Sequence, residues 1–139
     1  MIAAWKLIIE ATITFMADYV LWDEQHKVYV LGPPVIPVQE NLDAETTLNP
    51  SFELSYFRWA FAEGIRLFRK LGGEPEQGWE EVENHLAPLP VAQGRYLAQE
   101  HCPDTYGAYA YDHPSLLFNL SLLGLQVIDT ALMEASLEG

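Results

Sequence analysis
Apolar residues recur at helical spacing in several stretches of this chain, separated by polar and proline-rich segments. Over residues 3–21, Trp5, Ile8, Ile9, Thr12, Phe15, Met16 and Tyr19 repeat at intervals of three and four. Lys6, Glu10 and Asp18 fall largely off that stripe, which predicts an amphipathic helix. The next helix has the clearest signals. Asn49 suits an N-cap and Pro50 the first helical position, where a missing N–H costs nothing. Glu53 in the first turn and Arg66, Arg69 and Lys70 toward the end suit the helix dipole. Gly72-Gly73 is the stop. Leu54, Phe57, Phe61, Ile65, Phe68 and Leu71 form its core stripe. Phe52, Tyr56, Trp59 and Ala60 make its first half apolar around most of the circumference, so it should pack on more than one side.

Glu74 to Leu86 predicts a shorter helix with Trp79, Val82 and Leu86 inward and Glu80, Glu81 and Glu83 outward. A helix resumes after Asp112-His113-Pro114-Ser115 and runs through Leu116, Leu117, Leu120 and Leu123 to about Gly124. Asp129 either caps a last helix or lies inside one continuous helix. Lys27 to Leu31 alternates weakly and allows a short strand, but no set of strands emerges. The order is helix, long loop, helix, short helix, long loop, then one or two helices. That predicts an all-α fold, with residues 1–139 as a single domain.

The loop Gly32–Glu53 holds four prolines together with Glu40, Asn41 and Asn49. Long connections without regular structure are usually functional or disordered. The interleaved Val35, Ile36, Val38, Leu42 and Leu48 argue against disorder, so an ordered loop carrying a site is expected. For any single acid in it, a solvated role is the plainer alternative.

Composition narrows the functions. Of 139 residues, half are apolar and 12% aromatic, as in a globular domain. The net charge of −13, with seven basic residues, argues against a nucleic-acid partner. The first twenty residues are too charged for a signal peptide or a membrane span. One cysteine, Cys102, allows no internal disulfide. The four histidines are scattered without a zinc-type spacing, so no metal is expected. No phosphate loop and no nucleophile elbow is present.

Two loops could bring polar groups together at helix ends. The first offers Glu40, Asn41, Asn49 and Glu53; the second offers Asp104, Tyr106, Asp112 and His113. Carboxylates, amides and aromatic rings in one cleft suit sugar chemistry, in which an acid protonates the glycosidic oxygen and a base activates water on the other face. Asp112-His113-Pro114-Ser115 fits a plain helix start equally well.

The run Leu31-Gly32-Pro33-Pro34-Val35-Ile36-Pro37-Val38-Gln39-Glu40-Asn41, followed by Thr46-Thr47-Leu48-Asn49-Pro50-Ser51-Phe52-Glu53-Leu54, resembles the six-hairpin glycosidases. These are (α/α)6-barrel enzymes similar to glycoside hydrolase families 65 and 95. In them a Pro-rich segment leads to a glutamate, and asparagines open the next barrel helix. Cys102-Pro103-Asp104-Thr105-Tyr106 and Asp112-His113-Pro114-Ser115-Leu116-Leu117 fit a branch of the same group, so the resemblance spans most of the chain.

The resemblance implies helical hairpins forming part of an (α/α)6 toroid with long ordered loops. It implies inverting hydrolysis of an oligo- or polysaccharide, with Glu40 as general acid and water as nucleophile. Asn41 and Asn49 would orient the substrate, Asp112 and His113 would line the same cleft, and Glu53 and Tyr106 join the substrate-binding set. No metal or organic cofactor is implied. Roughly five helices, by the periodicity above, fall short of six hairpins. The chain is thus expected to be a partial domain, with the catalytic base outside it and self-association through exposed barrel surface. A lyase or phosphorylase on the same fold is a further option. The competing reading is a non-catalytic all-α binding or interaction module.

Overall fold
The computed structural model describes residues 2–111, 115–123 and 127–138. Among them are α1 (Ile2–Tyr19), β1 (Leu21–Asp23), β2 (Val28–Val30), α2 (Ser51–Lys70), α3 (Gln77–His85), β3 (Val91–Ala92), β4 (Arg95–Tyr96), α4 (Ser115–Ser121) and α5 (Thr130–Leu137). The expected all-α class is therefore wrong: the described chain is mixed, with five helices and two small antiparallel sheets. In one sheet Leu21 faces Val30, Trp22 faces Tyr29 and Asp23 faces Val28; in the other Val91 faces Tyr96 and Ala92 faces Arg95.

Turn chemistry makes both hairpins. Asp23 Oδ1 accepts from the N–H groups of Gln25 and His26, and Lys27, at φ 58°, donates its N–H back to the Asp23 carbonyl. An Asp that binds the backbone two residues on mimics a turn. In the second hairpin Gln93 and Gly94 have φ of 52° and 75°, the left-handed pair that a two-residue hairpin loop requires.

The main core lies where α1, α2 and α3 meet, around Ile13, Leu54, Phe61, Ile65, Trp79 and Val82. The Phe68 and Trp79 rings join α2 to α3 edge-on, with centroids 5.1 Å apart. Gly64 sets the spacing between α1 and α2: a Cβ there would lie 2.5 Å from Ile13 Cδ1. The apolar stripe anticipated on α1 mostly faces outward: of it only Met16 is buried and Ile9 half-buried, whereas Trp5, Ile8 and Phe15 are 59%, 54% and 64% exposed, and Ile13, which lies off that stripe, meets the core. The helix is apolar on two sides, and only one of them meets the core.

Helix α2 does pack on more than one side. It touches α1 and α3, and on the other face α4, where Phe52 meets Phe118 edge-on with centroids 5.5 Å apart. Its N-cap is Pro50, at φ −63°, with no side-chain cap bond. Asn49 is not the cap; its side chain is used elsewhere. Half-buried Arg58 of α2 donates to the carbonyls of Leu86 and Ala87 at 3.2 and 2.8 Å. Asp129 caps a separate last helix, its Oδ1 accepting from Leu132 N–H at 3.1 Å. That helix is tied to β4 by Tyr96 N–H donating to Ser136 Oγ at 2.9 Å. Among the described residues, no helix is long and apolar enough to cross a membrane.

Candidate functional site
The two long loops are sewn together. Leu48 N–H donates to Gln99 Oε1 at 2.8 Å, and Glu100 N–H donates to the Leu48 carbonyl at 2.9 Å. Asn49 Nδ2 donates to Glu100 Oε2 at 2.6 Å, and Ser51 N–H to the Ala98 carbonyl at 2.9 Å. The chain entering α2 therefore runs beside residues 97–100.

Glu40 sits at the tip of a turn in which Leu42 N–H donates to the Gln39 carbonyl at 3.2 Å. Its side chain is exposed, while Asn41 is half-buried. Buried Gln39, just before it, fastens this turn to the second loop: Nε2 donates to the Tyr109 carbonyl at 2.7 Å, and Ser115 Oγ donates to Oε1 at 2.8 Å. These two anchors bracket Asp112 and His113, which themselves lie outside the described residues. From below, Glu53 Oε1 accepts from Val38 N–H at 2.6 Å. Burial pushes the Glu53 carboxyl above its ordinary value, and the Val38 and Glu53 N–H groups pull it partly back. Glu40, Asn41 and Glu53 thus share one neighbourhood, to which Gln39 ties Tyr109 and Ser115.

Asn49 and Tyr106 stand apart from that turn. Asn49 is buried and its carboxamide is engaged at both ends, by Leu31 N–H at Oδ1 (2.9 Å) and by Glu100 at Nδ2. Tyr106 Oη donates to the Tyr96 carbonyl at 2.6 Å, and the Arg95 guanidinium lies 5.0 Å from its ring centre. The ring braces the β3–β4 hairpin.

Asn49 instead borders a cleft of about 1060 Å³ between the β1–β2 hairpin, residues 87–92 and residues 97–103. Val28, Val30 and Leu89 supply apolar wall; Asp23, His26, Glu100 and His101 supply polar groups. His26 Nδ1 lies 2.6 Å from Asp23 Oδ2. That hydrogen bond and the Asp23 charge, with a smaller part from Glu100, hold the imidazole above its ordinary value. Asp23 is held correspondingly low, first by its side-chain bond to His26.

Sequence reasoning missed Asp23, His26 and Glu100 as a group. Asp23-x-x-His26 is a local turn signal that could have been read; Glu100 joins it only through the folding of the second loop. Among the described residues, no three His, Cys, Asp or Glu side chains gather as a metal site. Chemically, the Glu40 turn offers an accessible carboxyl on an anchored backbone, and the cleft offers a proton-sharing Asp–His pair beside a second carboxylate. Comparison of the sequence with protein-family models and with curated proteins finds no match.

Proposed function
We propose that this chain carries the acid half of an inverting glycoside hydrolase site acting on an oligo- or polysaccharide. Glu40 donates its proton to the glycosidic oxygen as the anomeric C–O bond breaks. Water attacks the opposite face of the sugar and loses its proton to a carboxylate base lying outside residues 1–139. Such a pair stands roughly 6.5–9.5 Å apart, leaving room for the water. The chemistry calls for no metal or organic cofactor. Asn41, Asp112 and His113 contact the sugar beside Glu40, and Glu53 is a positioning residue that holds the backbone of the turn.

One observation carries this reading: Gln39, adjacent to Glu40, is buried and bonded to both Tyr109 and Ser115. An accessible carboxyl on a turn whose neighbouring residue is tied to a second loop supports a role as proton donor to a bound sugar.

The test varies the leaving group, in the enzyme assembled with its base. A general acid matters most when the departing oxygen is strongly basic. Glu40→Gln should therefore slow cleavage of a natural linkage by about 10²–10⁴-fold and leave a dinitrophenyl glycoside nearly unaffected. Equal losses on both substrates would remove Glu40 from the acid role.

A non-catalytic interaction module is the second reading, and the exposed apolar face of α1 favours it. In that case adding glycans would leave the amide resonances of residues 38–42 unmoved.

A further inference from the structure
The outward face of α1 has an ordered pattern. Trp5, Ile8, Thr12, Phe15 and Tyr19 follow one another at intervals of three, four, three and four residues. That is the spacing of a coiled-coil seam, in which side chains of one helix enter the holes of another. Trp5, Phe15 and Tyr19 are 59%, 64% and 40% exposed, Ile8 54%, and Thr12 is also exposed. The Phe15 and Tyr19 rings already touch, with centroids 5.9 Å apart. Ala4 and Ala11 flank the seam, also exposed, and would let a second backbone approach closely there; Asp18, seven residues on, is the exposed flank beside Tyr19. No charged residue lies on the seam, although the chain as a whole carries −13.

We propose that this face is the contact between two copies of the chain, α1 against α1 across a two-fold axis. The spacing calls for a helix as occupant, and a second copy brings one with the same spacing. The seam itself is uncharged, so two strongly acidic copies can meet there with like charge only at the Asp18 margin. Area fits a modest dimer. With large side chains burying about 150–250 Å² each, the exposed fractions above come to roughly 500 Å² per copy. Two copies then bury on the order of 1,000 Å², the lower edge of a specific interface. The dimer is accordingly weak. Because the charge outside the seam repels, it tightens as salt is added.

Sedimentation equilibrium of the 139-residue chain tests this. Wild type should pass from monomer to dimer between about 1 and 100 μM, the range expected of a small interface, with a tighter midpoint in 500 mM than in 50 mM salt. Phe15→Glu should remain monomeric at all these concentrations with an unchanged helical spectrum. As a second reading that leaves the aromatic side chains intact, Thr12→Cys should form a covalent dimer on mild oxidation, while buried Cys102 does not react. A wild type that stays monomeric at 100 μM would assign the face to a different partner and overturn the proposal. So would a dimer that survives Phe15→Glu, or a Thr12→Cys protein that fails to cross-link.

Discussion

Asn49 holds Leu31 from both sides of the same peptide neighbourhood: its N–H donates to the Leu31 carbonyl and its Oδ1 accepts from Leu31 N–H, both at 2.9 Å. Leu31 is fully buried, so neither group has water as a substitute. Asn49 also sits at φ 48°, a conformation that asparagine tolerates better than most residues. Asn49→Ala should leave the Leu31 N–H orphaned, break the link to Glu100 and strain the backbone. Orphaning a buried donor alone costs about 1–3 kcal/mol. Urea unfolding should show a loss of about 3 kcal/mol. Asn49→Gly, which relieves only the strain, should recover less than half of it.

Gly64 lies inside α2, where alanine is ordinarily better by about 1 kcal/mol. Here the sign reverses, because an added Cβ would lie 2.5 and 2.8 Å from Ile13 Cδ1 and Cγ1. Gly64→Ala should therefore lower stability by about 1–2 kcal/mol, the usual cost of overpacking. Adding Ile13→Val removes the Cδ1 contact and should recover part of the loss. If Gly64→Ala raises the melting temperature, the close approach of α1 and α2 is not as tight as described.

Glu53 predicts a pH dependence with a definite sign. Burial raises its carboxyl above 4.5 in the folded chain, so the native state holds the proton more tightly than the unfolded one. Its contribution is greatest below the unfolded value and declines as pH rises through the folded value. Measured as unfolding free energy against pH, Glu53→Gln should flatten that decline. A slope identical in wild type and variant would show that Glu53 is solvated.

The long helices announce themselves in sequence because many residues repeat one period. Helix α2 and its glycine stop follow from such signals; for Asp129 the sequence leaves two alternatives, and the structure makes it a cap. The short hairpins do not: β3 and β4 have two residues each, too few to alternate visibly, and only the left-handed turn at Gln93-Gly94 creates them. In α1 the period is clear but the face is not, since apolar residues occupy both sides and periodicity cannot say which meets the core. Asn49 misleads for a chemical reason. The short carboxamide that favours a cap also favours a left-handed residue bonding to distant backbone, and only tertiary contact with Leu31 decides between them. Of the candidate site, Glu40 and Glu53 stand out in sequence only as acids of one loop; that Glu53 holds the Val38 N–H and that Gln39 meets Tyr109 and Ser115 depends on tertiary contact.

Two walls of the Asn49 cleft are fastened by different means. Residues 86 and 87 hang from the Arg58 guanidinium, whose value burial lowers but which stays charged throughout the physiological range. The opposing hairpin turn is secured by Asp23 and His26. The contribution of Asp23 fades as pH falls through a value below 3.8, and that of His26 fades as pH rises through a value above 6.5. One jaw of the opening is thus indifferent to acidity while the other answers to it. The hairpin side of the mouth should be best held in mildly acidic to neutral solution and should slacken at either extreme, while the Arg58 side stays as it is.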